Sequence, residues 1–201
     1  GADATVVFDG SFTQPPIPGS PAPSKFLLQV ELQRPFEYDP SAGALLVDLQ
    51  LRSMRLTQLP GSYFDATTDP AFGVSRLLGG GWNATVGGSP VHAAYVIAVS
   101  GVPSPVLPQS SDHAEGGSSS SFPWNISGPM RAMYGYAGSQ LGVTEPVEIT
   151  HLSWRPDGSA TTFGPVTFQV RIDLSTGTLP FVTTFATNHG ADLTTVFNGQ
   201  F

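Results

Sequence analysis

The sequence predicts an all-β protein: an antiparallel β-sandwich, jelly-roll or immunoglobulin-like in its two-sheet architecture, with at most one short helix. Three long stretches alternate apolar and polar residues with a period of two, as half-buried strands do. Turn formers punctuate the whole chain, with 23 Gly and 19 Pro in 201 residues. Charged residues are only 11% against 40% hydrophobic, which describes a folded chain with a polar, weakly charged surface.

Residues 1–12 read Gly-Ala-Asp-Ala-Thr-Val-Val-Phe-Asp-Gly-Ser-Phe. The chain repeats this strand without a gap at 190–201 as Gly-Ala-Asp-Leu-Thr-Thr-Val-Phe-Asn-Gly-Gln-Phe, with eight of twelve positions identical. Residues 13–24 hold five prolines and form a stiff, extended tether. A first β half follows over 25–102. There Phe26, Leu28, Val30 and Leu32 oppose Gln29, Glu31 and Gln33, and Leu45, Val47, Leu49 and Leu51 oppose Asp48, Gln50 and Arg52. The turns Asp39–Gly43 and Leu59–Gly61 punctuate it. The apolar run Ala93–Val99 is a strand by length and too short to cross a membrane.

Residues 103–121, Pro-rich and then Gly/Ser-rich, read as a linker. The second β half, 122–201, opens with a short helix predicted over Met130–Leu141, weakened by Gly135 and Gly138. Val147 and Ile149 share a face with Leu152 and Trp154 only if the parity slips near His151, which predicts a bulge there. After the Arg155–Gly158 turn, Val166, Phe168, Val170, Ile172 and Leu174 oppose Thr167, Gln169, Arg171 and Asp173. The polar sides of these strands are expected to face water.

The net charge is −7, Lys25 is the single lysine, and seven arginines are scattered. Without a basic stripe, nucleic acid and anionic membranes are excluded as partners. The chain has no cysteine, so no disulfide framework supports it. A lysine-poor surface rich in Ser, Thr and Gly suits an extracellular, cell-surface location.

Nothing in the sequence points to an enzyme. The four histidines lack metal-ligand spacing, and no nucleophile elbow or phosphate loop occurs. No catalytic or metal residue is assigned and no cofactor is expected, apart from calcium in the Asp-rich turns near Asp65–Asp69 or Asp3–Asp9. Those turns lack the twelve-residue calcium-loop pattern, and turn aspartates ordinarily cap their own backbone. Trp82 and Trp124, with Tyr63, Tyr134 and Tyr136, are candidates for stacking on sugar; the alternative is that these aromatics cover the core. Asn83-Ala-Thr85 and Asn125-Ile-Ser127 are glycosylation sequons. The Ser118–Ser121 run could carry O-linked sugar.

Several segments together resemble a known group. Pro35–Asp48, Phe122–Ile126 with Tyr134–Leu141, Ile149–Gly158, and Ile172–Ser175 through Thr184–Ala186 to Gly190–Asp192 resemble exported bacterial proteins that carry a PEP-CTERM sorting tail. In that group the half resembling 122–201 comes first and the half resembling 1–101 follows, so the order here is permuted. No sorting tail occurs in this sequence. The resemblance implies an exported β-sandwich and no particular activity.

The repeated strand carries the functional expectation. Thr5 and Val7 alternate with Val6 and Phe8, and Thr194 and Val196 with Thr195 and Phe197, so both faces hold apolar groups. Thr5, Val6, Val7, Phe8, Phe12, Thr194, Val196, Phe197 and Phe201 are the expected strand-exchange residues. One sandwich needs a given strand once, which leaves a copy for a neighbour. The expectation is an extracellular structural subunit of a bacterial surface filament or matrix. Its partners are head-to-tail copies of itself, with covalent or bound glycan as a further candidate. The alternatives are a secreted carbohydrate-binding module and a tandem-domain surface adhesin.

Overall fold

Alternating apolar residues give each long strand one inward face, and two antiparallel sheets close over those faces. The computed structural model describes residues 17–18, 23–56, 63–102, 105–124, 126, 128–158, 162–163 and 166–200. In chain order the strands are β1 (Ile17–Pro18), β2 (Leu28–Tyr38), β3 (Ala44–Leu56), β4 (Phe64–Thr67), β5 (Val74–Gly80), β6 (Ala94–Tyr95) and β7 (Ile97–Val99). They continue as β8 (Val106–Leu107), β9 (Ser118–Ser120), β10 (Met130–Tyr136), β11 (Val147–Trp154), β12 (Thr162–Phe163), β13 (Val166–Gly177) and β14 (Thr194–Gln200). One helical turn, α1, spans Phe185–Asn188.

A five-stranded sheet runs β14-β13-β3-β10-β5, and a four-stranded sheet runs β2-β11-β7-β8. Smaller ladders join β6-β4-β9 and β1-β12. The fold is thus the predicted all-β sandwich. Its two sequence halves interleave, because β10 lies between β3 and β5. Leu45, Val47, Leu49 and Leu51 of β3 join Phe168, Val170, Ile172 and Leu174 of β13 in one core with Leu28, Val30, Ile149, Leu152 and Trp154.

The bulge predicted near His151 is present. Pairing passes from Ile149↔Phe36 to His151↔Glu31, so β2 residues 32–35 bow out opposite Thr150 alone. Ser100 Oγ accepts the backbone N–H groups of Thr150 and His151, each at 2.8 Å, so the bulged amides stay paired.

Three expectations are corrected. The helix over Met130–Leu141 is strand β10 followed by a 3-10 turn at Gly138–Gln140. Tertiary pairing on both edges overrides the local pattern, and Gly135 is small because a Cβ there would lie 2.6 Å from Leu179 and 2.8 Å from Phe181. The linker at 103–121 is structured where described, carrying β8, a 3-10 turn at Gln109–Ser111, and β9.

The polar faces of β3 and β13 do not all meet water: Asp48 is 0%, Asp173 2% and Gln50 7% exposed. A second apolar cluster of Ala44, Leu46, Leu77, Met133, Phe181 and Phe185, fed by the β13–β14 connection, covers that side.

Candidate functional site

The repeated strand meets the fold at the edge of the five-stranded sheet. The β13–β14 ladder pairs Leu174↔Thr194 and Asp173↔Thr195, then resumes at Ile172↔Phe197. Val196 is therefore the extra residue of a bulge. The bulge defeats simple alternation: Val196 (0% exposed) and Phe197 (6%) both enter the main core instead of pointing to opposite sides.

Ahead of the ladder, Gly190 N–H donates to the Thr176 carbonyl at 2.7 Å, and Thr176 N–H donates to both Asp192 carboxylate oxygens at 3.0 Å. Thr194 Oγ1 donates to the Asp192 carbonyl. Gly190 must lack a side chain, since its Cβ would lie 2.9 Å from both Thr176 oxygens.

Of the repeat residues that make these contacts, all but Thr195 are identical in the first copy: Gly1, Asp3, Thr5, Val7 and Phe8 match Gly190, Asp192, Thr194, Val196 and Phe197. The four differences fall at Leu193, Thr195, Asn198 and Gln200, none of them fully buried. Leu193 is 46% exposed and is Ala4 in the first copy. Thr5, Val6, Val7, Phe8 and Phe12, like Phe201, lie outside the described residues.

Among the described residues no strand forms a ladder on the outer side of β14, but β2, the edge strand of the opposite sheet, packs against it. The Asn198 N–H of β14 points outward and donates to Gln33 Oε1 at 3.1 Å. Gln33 reaches it from the bowed segment of β2, the edge strand of the opposite sheet. The buried Gln33 Nε2 has no hydrogen-bond partner among the described residues. One side-chain amide thus stands where a further backbone strand would offer a full row of groups.

Beneath the β13–β14 connection lies a polar chain that the sequence reading missed. Ser175 Oγ is 2.7 Å from His189 Nδ1, His189 Nε2 is 3.0 Å from Asp48 Oδ2, and Arg131 holds the Asp48 carboxylate through Nε and a second nitrogen at 2.5 Å. Arg131 also stacks 4.4 Å over the Phe185 ring. Ser, His and Asp follow one another as in a nucleophile relay, here with Ser175 and Asp48 both 0% exposed. What the chain does is fasten His189, the residue before the repeated strand, to β3 and β13. Asp48 alternates with leucines in sequence, which places it on a face without saying that the face is covered.

A second buried pair lies near the Asp65–Asp69 turn. Arg155 Nε donates to Asp65 Oδ2 at 2.8 Å, Gly116 N–H donates to Oδ1 at 2.8 Å, and Arg155 also donates to the Ala114 carbonyl. Glu115 and Asp157 bring their carboxylates within 4.8 Å of this group. The Arg155 guanidinium is the counter-cation among these acids, and Asp69 caps its own turn through Ala71 N–H. Asp3 and Asp9 lie outside the described residues.

Burial pushes the Asp65 carboxyl up to about 6, against the pull of Arg155 and Gly116 and with help from Glu115. Above its ordinary value of 3.8, the folded chain keeps a proton that the unfolded chain has released. The contribution of Asp65 to stability therefore falls as pH rises from about 4 to about 6 and is level beyond. Urea midpoints across that range should show this slope in the wild type and lose it in Asp65→Asn.

The aromatic candidates do not form an exposed platform: Trp124, Tyr134 and Tyr136 share the main core cluster. Trp124 is 0% exposed, set edge-on to Trp154 at 5.0 Å and Phe168 at 5.1 Å, so it is core and not a sugar platform. Tyr134 and Tyr136 are buried as well, while Tyr63 is 43% exposed. Trp82 is 37% exposed, with the Arg52 guanidinium 4.9 Å over its ring. Asn83 is exposed in the turn after β5, and Asn125 lies outside the described residues. No helix among the described residues is long and apolar enough to cross a membrane. No known protein family, curated protein or solved structure matches the chain.

Proposed function

We propose that the chain is an extracellular structural subunit of a filament or matrix, joined to copies of itself by strand complementation. Residues 1–12 of one subunit add to the outer edge of β14 in the next. The carrying observation is that β14, the second copy of the repeated strand, is itself the edge strand of the five-stranded sheet.

Counting places supports edge addition over displacement. Each chain has two copies of the strand and one slot beside β13. If residues 1–12 of a neighbour displaced β14, one copy per chain would still be unplaced, and nothing would be gained for the entropy lost on association. Addition outside β14 places both copies. An arriving strand with the same buried pattern would extend the same sheet by taking the place of Gln33 on the Asn198 N–H. Val6, Val7, Phe8 and Phe12 would contribute on the order of 6–12 kcal/mol of apolar burial before ordering costs. Within the proline-rich segment Ile17–Pro18 pair with β12, so a donated strand would start from that ladder. Such a contact is head-to-tail and does not close on itself, so it propagates.

Export is supported by the lysine-poor composition and by the resemblance to PEP-CTERM-sorted proteins. A carbohydrate-binding reading is less favoured, since Trp124 lies in the core.

Negative-stain electron microscopy of the purified protein, before and after complete denaturation and refolding, tests the proposal. The expected result is filaments that dissolve into single chains and re-form, and that do not form when residues 1–12 are deleted. Monodisperse particles at all concentrations would overturn it.

A further inference from the structure

The turn that follows β5 holds one of the two sequons and presents it in an accessible form. Gly81 adopts φ +92°, Ala84 N–H closes the turn onto the Gly81 carbonyl at 3.2 Å, and Asn83 and Thr85 are both exposed. The surroundings are open: a Cβ at Gly80 or Gly88 would meet nothing within 4 Å, and one at Gly81 would meet only Asn83 itself, at 3.7 Å. Thr85 uses its carbonyl, not its hydroxyl, to hold the fold, accepting Phe185 N–H at 3.1 Å. Among the described residues the acceptor amide and the hydroxyl that recruits a transferase thus hold no part of the fold.

Trp82 and Val86, 37% and 57% exposed, flank the sequon with apolar surface of the kind that packs against the C–H faces of a sugar ring. The other sequon differs. Asn125 follows the fully buried Trp124, and Ile126 packs against the core.

We infer that Asn83 is an N-glycosylation site and that Asn125 is not. The Asn83 Nδ2 bonds to the anomeric carbon of a pyrophosphate-linked sugar. The carbon–oxygen bond to pyrophosphate breaks, the pyrophosphate carrier leaves, and the amide loses one proton to the transferase. Gly81 sits two residues before the acceptor, so the transferase is one that reads Asn-x-Thr without an acidic residue there. The site follows β5, the strand at the opposite edge of the sheet from β14, so a glycan there leaves the proposed assembly edge clear.

Glycopeptide mass spectrometry on the full-length protein secreted by its own organism tests this. Trypsin alone releases Leu77–Arg131, which carries both sequons, so a second cut after Glu115 is needed to separate them. The expected result is a hexose or N-acetylhexosamine increment assigned to Asn83 on most of peptide 77–115 and none on Asn125 in 116–131. Thr85→Ala should abolish the increment and Thr85→Ser should keep it, with all three proteins equally secreted. An unmodified 77–115 peptide, a glycan on Asn125 alone, or an increment that survives Thr85→Ala would each overturn the inference.

Discussion

Phe197→Ala will cost the single chain about 3–5 kcal/mol of stability, the usual loss for a buried Phe, whereas Phe8→Ala will cost it nothing and will abolish assembly. The two residues occupy the same position in the two copies of one strand. Phe197 sits in the core beside Val196, so removing its ring opens a cavity in the chain's own sandwich. Phe8 acts, on the proposed reading, only where it meets a neighbour. Urea unfolding of each variant gives the first comparison, and light scattering with electron microscopy gives the second. Equal loss of stability in both would mean that residues 1–12 belong to their own sandwich, and the assembly proposal would fall.

Asp48→Ala will lower stability by about 3–5 kcal/mol, because removing one partner strands a charge in a site closed to water. For a domain of this size that is a fall in Tm of about 6–20 °C. Arg131 has a side chain only 14% exposed and would lose the carboxylate it holds, and His189 would lose its anchor on β3. Ser175→Ala removes a single neutral hydrogen bond and will cost about 1 kcal/mol. Replacing Asp48 and Arg131 together by Leu and Met will restore much of the loss, since apolar groups of similar volume leave no unpaired charge. Calorimetry on the four proteins decides this. A loss under 1 kcal/mol for Asp48→Ala would show that the network does not fasten the β13–β14 connection.

The covering of Asp48 shows where reading the chain alone stops. Period-two alternation put Asp48, Gln50 and Asp173 opposite the core leucines, and the opposition is real. That those residues are buried depends on residues 178–193 folding back over the sheet, a contact between segments far apart in sequence. The same limit explains β10. Over Met130–Tyr136 the local pattern fits a weak helix about as well as a strand, and pairing with both β3 and β5 settles it. Trp124 is a sugar-stacking candidate by residue type, yet it packs edge-on against Trp154 in the core.

The sequence by itself determined the all-β class, the parity slip near His151 and the existence of two copies of one strand, because each is written in residue order and side-chain period. Only the tertiary structure decided that the sequence halves interleave, that a bulge sends Val196 and Phe197 into the same core, and that among the described residues β14 ends the five-stranded sheet with Gln33 of β2 bonded to its outer edge. Those outcomes turn on which backbone groups meet which, and hydrogen bonds between distant strands leave no local trace in the residues that make them.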